Sequence, residues 1–179
     1  SRTPVREAVI QLSEESRIIE IFPQRGMRIA PIDVELVEEA RSLRVLLEKQ
    51  IAGMCCEMAT EEDIKWLQEN VGLQEFYMEN SHPEMMMQLD DEMHHKLFMI
   101  CHRELTYGMC QKLTIHYDRI RSLSVNTVKD NTIIEDHRKI IQFIAEHKKE
   151  NAMAQMEKHL SRWQLNEGKF RQEFPDYFK

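Results

Sequence analysis

Asp91 and His95 stand four residues apart in the stretch LDDEMHHKLF. On a helix that spacing places both side chains on one face, a turn apart, where a carboxylate and an imidazole can share one divalent ion. A pair of this kind also serves as a plain surface hydrogen bond, so its meaning depends on further ligands. His137 in EDHRKII and His159 in MEKHLSRW flank the turn KEN. In an antiparallel hairpin one lies about 12 residues before the turn and the other about 8 after it, so at roughly 1.5 Å per residue their heights differ by about one turn and they can converge. His94 is rotated about 100° from His95 and falls off that face. His82, His102, His116 and His147 have no partner at useful spacing and read as surface or core histidines. Three histidines and a carboxylate suit Zn²⁺, Ni²⁺ or another borderline cation, and the ligand types do not choose among them.

These side chains need a rigid frame, and from Asp33 onward the sequence predicts one. Leu36, Ala40, Leu43, Leu47 and Ile51 form an apolar stripe at helical spacing. Breaks near Thr60, Ser81-His82-Pro83, Glu104 to Tyr107, Val128 to Asn131 and Lys149 to Asn151 divide the body into six helices, over 33–58, 61–80, 84–102, 106–127, 132–148 and 152–171. Short connections imply an antiparallel bundle. Met85, Met86 and Met87 read as pliable packing. The chain has 179 residues, 42% hydrophobic and 31% charged, enough for one good core or for one domain with a fragment of another. No apolar run approaches the ~20 residues of a membrane span and no signal segment is recognisable, so the expected compartment is the cytoplasm. Cys55, Cys56, Cys101 and Cys110 make no C-x-x-C pair and are expected as free, mostly buried thiols.

A net charge of −7 excludes a surface devoted throughout to nucleic acid. The first 30 residues differ: Arg2, Arg6, Arg17, Arg25 and Arg28 face only Glu7, Glu14, Glu15 and Glu20. Pro4, Pro23, Pro31 and Gly26 also gather there, which places a unit boundary near Pro31-Ile32-Asp33, between a segment 1–31 and a body 32–179. Thr3-Pro4 reads as a helix cap followed by proline at the first helical position. Val5, Ala8, Val9 and Leu12 supply an amphipathic stripe, IIEIF a strand, PQRG a turn and MRIA the returning strand. Helix, strand, basic turn and strand form the second half of a winged helix. Arginines at such a helix start and hairpin tip reach phosphates and base edges, although five arginines in 30 residues also make an ordinary solvated face.

S-R-T-P-V-R-E-A followed by I-E-I-F-P-Q-R-G resembles the recognition helix and wing of the GntR family of bacterial transcription regulators, in its FadR-like (FCD) branch. The resemblance implies a mainly α fold: an antiparallel FCD-like bundle after a partial winged helix-turn-helix, two of whose helices are expected upstream. It implies that Arg2, Thr3 and Arg6 face operator DNA and that Arg25 and Gly26 form the wing tip. Arg17 stands where the family usually has glycine, which implies a positive φ at a non-glycine residue. The body resembles FCD domains in its helix order and in a D-x-x-x-H helix followed by two later histidines. By that resemblance Asp91, His95, His137 and His159 ligate a divalent metal, and a count of six helices points to the VanR-like subgroup. The metal's open positions then take a small carboxylate effector, with Arg44, Arg119 and Arg121 available to fork onto it, Arg44 having a bland alternative as an exposed pair with Glu48. A homodimer reading a twofold operator is expected. The alternatives are a metal-dependent hydrolase-like enzyme, for which no H-E-x-x-H supplies a base, and a plain helical interaction module.

Overall fold

The computed structural model describes residues 1–127 and 132–179, with the side chains of Arg2, Asn126, Thr127, Trp163 and Leu165 outside the description. The expected break at Val128 to Asn131 therefore lies outside the described residues. The chain starts with α1 (Arg2–Ser16) and a hairpin of β1 (Ile19–Phe22) and β2 (Gly26–Ile29), paired antiparallel with Ile19 opposite Ile29 and Phe22 opposite Gly26. Ser1, rather than Thr3, caps α1, its hydroxyl accepting from the Thr3 amide at 3.4 Å, so Pro4 sits inside the first turn. Arg17 ends the helix at φ 56, the left-handed conformation expected of a residue in the usual glycine position. In the hairpin Gln24 has φ 61 and Gly26 φ 109, the latter a value that strongly favours glycine. Much of the apolar stripe of α1 stays open, Val5 at 62% exposed and Leu12 exposed too, and so do Ile21, Phe22 and Met27 of the hairpin.

The body contains α2 (Val34–Met58), α3 (Glu61–Glu79), α4 (Pro83–Ile100), α5 (Glu104–Leu113), α6 (Ile115–Thr127), α7 (Thr132–Ala145), α8 (Lys149–Leu160) and α9 (Trp163–Glu173), then a 3-10 turn over Pro175–Tyr177. Helix α2 packs on α8, α3 on α4 and α7, and α7 on α8. Gly53 permits the close approach of α2 to α8, since a Cβ there would lie 2.9 Å from Met153 Sδ. Asp33 caps α2 through the Glu35 amide, Thr60 and Asp63 form a capping box at the start of α3, and Pro83 opens α4. Two predicted helices are broken. The segment 106–127 divides at Thr114, whose hydroxyl donates to the Gln111 carbonyl, and 152–171 divides at Ser161, whose hydroxyl donates to the Glu157 carbonyl. Hydroxyls bonded to the preceding backbone compete with the helical ladder, and neither glycine nor proline marks these sites.

The main core lies between α2, α3, α4, α7 and α8 and includes Ile51, Leu67, Met93, Leu97, Ile134 and Met156. A second, smaller core joins Ile32, Val37, Tyr117, Ile120, Phe170 and Phe178 where the body meets the first unit. There Ile32 bridges to Phe178 and the Ile32 amide donates to the Tyr177 carbonyl at 2.6 Å. All four cysteines are free and buried, and Met86 is buried while Met85 is 38% exposed.

Candidate metal and effector site

The buried face of α4 decides which residues enter the centre of the bundle. Met86, Leu89, Met93 and Leu97 form its apolar stripe, and Asp90 and His94 are buried alongside them. At 3.6 residues per turn, Asp91 and His95 lie on roughly the opposite side of the helix from that stripe. The structure accordingly gathers Asp90, His94, His137 and His159, with one ligand-capable atom from each lying within 4.8 Å of the others. The pair brought together on α4 is thus one residue earlier than the expected Asp91 and His95. Asp91 Oδ1 instead accepts from Arg121 at 2.7 Å, and His95 stacks on Tyr107 with ring centroids 4.4 Å apart. His137, on the apolar face of α7, and His159, on α8, converge as the hairpin reading expects.

Within the cluster His137 Nε2 lies 3.3 Å from His159 Nε2 and 3.1 Å from Asp90 Oδ1. A cation about 2.1 Å from each of its ligands sets neighbouring ligand atoms roughly 3.0–3.4 Å apart, so these separations match the edges of a coordination polyhedron. The supporting groups fit as well. His137 Nδ1 lies 2.8 Å from the amide oxygen Oε1 of Gln74, which accepts its proton and leaves the Nε2 lone pair facing the cluster. Glu48 Oε2 stands against His94 Nδ1, and His94 Nε2 points to the same centre, 3.9 Å from Asp90 Oδ1. His94 Nε2 and His159 Nδ1 are buried with no hydrogen-bond partner among the described residues. Burial pushes the titration of both His137 and His159 below the ordinary imidazole range, furthest for His159, which keeps their lone pairs free. Burial alone would raise the Asp90 carboxyl, but Arg121, His137 and His94 outweigh it and hold Asp90 ionised, well below the usual carboxylate range. Three imidazoles and one carboxylate thus converge in a shielded place. The residues fit a divalent metal of the borderline class.

A cavity opens beside the cluster. It encloses about 50 Å³ of water-accessible space and is lined by Arg44, Asp90, Tyr117, Arg121, His159 and Arg162, with Met86, Ile120 and Val125 supplying apolar wall. That is room for only a few water molecules. Arg44 is 5% exposed, so its pair with Glu48 at 2.5 Å is a buried bond and not a surface pair, and its guanidinium lies 5.2 Å from the centre of the Tyr117 ring. Arg121 is gripped by Asp90, by Asp91 and, at 2.8 Å, by Asp118. Arg119 leaves the cavity altogether and donates to the Ala30 carbonyl at 2.7 Å. Arg162, which the sequence reading passes over, takes its place on the wall and is paired with the fully buried Asp136.

Residues 39–162 match the FCD domain. The chain belongs to the FCD family. Its relatives include the HTH-type transcriptional repressor RspR of Escherichia coli K12, 28% identical over 179 residues covering 99% of this chain and 78% of RspR. Another is the uncharacterised HTH-type regulator YdhC of Bacillus subtilis, 24% identical over 90% of this chain and 72% of that protein. Among solved structures, E. coli McbR/YncC shares the fold with a TM-score of 0.79 over 96% of this chain and 85% of that one, at 17% identity. Streptococcus agalactiae GntR gives a TM-score of 0.58 at 24% identity over 89% and 79%. The FCD match and these relatives make the chain a transcriptional regulator with an FCD domain, and not an enzyme.

In this FCD regulator the cluster lies on α4, α7 and α8, inside the matched segment. The residues expected to meet DNA lie outside that segment on the first unit. Thr3, Arg6, Arg25 and Gly26 are all exposed, Arg25 at the hairpin tip with its amide bonded to the Phe22 carbonyl at 3.0 Å. The Arg2 side chain lies outside the described residues. Among the described residues no helix is long and apolar enough to cross a membrane.

Proposed function

We propose that this regulator binds operator DNA through residues 1–31 and senses a small organic acid through a divalent metal, Zn²⁺ or Ni²⁺, held in the body 32–179 by Asp90, His94, His137 and His159. The observation that carries the reading is the buried cluster of three histidines and one carboxylate opening on a cavity with Arg44, Arg121 and Arg162 on its wall. A bound cation supplies the positive charge that draws an organic anion into an otherwise acidic chain, and an arginine adds a directional fork. Gln74 and Glu48 orient the imidazoles, and Asp90 shares its charge between the cluster and Arg121. The protein acts as a homodimer in the cytoplasm, Arg2, Thr3 and Arg6 of α1 facing the operator and Arg25 with Gly26 at the wing tip. Effector binding shifts DNA affinity by the difference in its affinity for two arrangements of the units.

The test is titration of metal-loaded and chelator-stripped protein with a panel of small mono-, di- and tricarboxylates by calorimetry. Carboxylate binding that requires the metal and weakens in Arg121→Met is the expected result. Equal binding with and without metal contradicts the reading.

A further inference from the structure

Helix α6 contacts both the segment 1–31 and the residues around the cluster. At 3.6 residues per turn, His116 with Arg119 and Tyr117 with Arg121 point in directions roughly 150° apart around the helix. On one side His116 Nε2 donates to the Ser16 carbonyl at 2.8 Å, at the last residue of α1, and Arg119 donates to the carbonyls of Ala30 at 2.7 Å and Pro31 at 3.5 Å, in the segment joining the hairpin to α2. On the other side the Tyr117 hydroxyl donates at 2.8 Å to the Leu160 carbonyl, next to His159, while Arg121 grips Asp90 and Asp91. Between these faces Tyr117 and Ile120 pack with Ile32 in the second core, apart from the main one. The helix thus shares a small core with the junction, packs Val125 against the main core and reaches the residues around the cluster through the polar contacts of Tyr117 and Arg121.

We propose that α6 is the element that couples the candidate metal and effector site to the first unit, Arg121 reporting the charge at Asp90 and Arg119 with His116 passing the resulting shift to α1 and the junction. The coupling rests on the sensor reading above. Asp90 presents Oδ1 to His137 and Oδ2 to Arg121, so a cation drawn to Oδ1 or a carboxylate brought beside Arg121 changes the attraction that holds α6 in place. A packed helix of 13 residues moves as a body, and its carbonyl partners at Ser16, Ala30 and Pro31 must follow it or break.

Hydrogen–deuterium exchange of the whole chain, with and without Zn²⁺, tests this. In the parent, one Zn²⁺ per chain is expected to change the exchange of peptides spanning 14–33 by about twofold or more. In Arg119→Met, and separately in His116→Gln, Zn²⁺ is expected to bind with unchanged stoichiometry while that distant response falls by at least about half. A response at 14–33 undiminished in both variants, or absent from a parent that binds Zn²⁺, overturns the coupling. A parent that binds no Zn²⁺ refutes the sensor reading instead, and Arg121→Met without metal then judges α6. Altered exchange at 14–33 upholds the link, and unaltered exchange overturns it.

Discussion

Asp90 serves two partners, and the site's chemistry follows from that division. Its Oδ1 faces His137 at 3.1 Å and its Oδ2 faces Arg121, so the carboxylate stays charged although it is buried. Glu48 and Gln74 act one step further out, fixing the rings of His94 and His137. Groups of this kind tune ligand orientation, and their loss usually weakens metal binding about 10- to 100-fold. Gln74→Leu and Glu48→Gln are each expected to weaken Zn²⁺ by that margin in competition with a chromophoric chelator, and unchanged affinity in both would remove them from the site. The histidines also set a pH dependence for the metal-free protein. His137 and His159 titrate below the unfolded value of about 6.5 because burial disfavours their charged forms, so the unfolded chain binds more protons in the window beneath 6.5. Stability of the stripped protein is therefore expected to fall as pH drops through that window and to be insensitive to these groups above it. Thermal midpoints between pH 5 and 7.5 read this directly, and His159→Gln should flatten the slope.

Among the elements, α3 begins on the most complete cap. Thr60 and Asp63 satisfy each other's backbone amides, at 3.0 and 3.1 Å, and Lys96 of α4 joins Asp63 at 2.6 Å. Thr60→Ala is expected to cost about 1 kcal/mol in chemical denaturation. Burial opposes ionisation of Asp63, yet the bonds from Lys96 and Thr60 prevail and lower its pKa to about 2. The stability it contributes is present above the unfolded value of 3.8 and is lost as pH falls from there toward 2. The same elements explain what the sequence discloses. Caps, Pro83 and apolar periodicity place the starts of α2, α3 and α4 to within a residue, because those signals are local. On α2 the leucines suggest a stripe through Leu36, Leu43 and Leu47, whereas the deepest positions include Val37, Arg44, Glu48 and Ile51. On α4 Asp90 and His94 are buried while Asp91 and His95 are not. In both helices charged side chains turn inward toward one another, a pairing that hydropathy cannot register. The stripe Met86, Leu89, Met93 and Leu97 nevertheless carries the information, since Asp90 and His94 lie nearer to it around the helix. The breaks at Thr114 and Ser161 stay hidden because a hydroxyl bonded to its own backbone looks like any helical serine or threonine.

At the scale of the whole molecule, Arg119 and His116 bond the carbonyls of Ala30 and Ser16, and beside them the Ile32 to Phe178 bridge and the ion pair of Lys179 with Asp33 at 2.8 Å tie the C-terminus to the start of α2. A metal that binds only the folded chain stabilises it by mass action, about 2.7 kcal/mol at free metal near 100 times its dissociation constant. For a chain of this size, loading is expected to raise the thermal midpoint by roughly 5–10 °C, and a chelator should reverse the shift. The most direct measurement is the metal content of untagged protein, reconstituted with Zn²⁺ and dialysed, for the parent and two double variants. The parent and Asp91→Asn/His95→Gln should each retain about one ion per chain, and Asp90→Asn/His94→Gln should retain almost none. A parent without metal, or an ion lost from the 91/95 variant and kept by the 90/94 variant, would contradict the site described for this regulator.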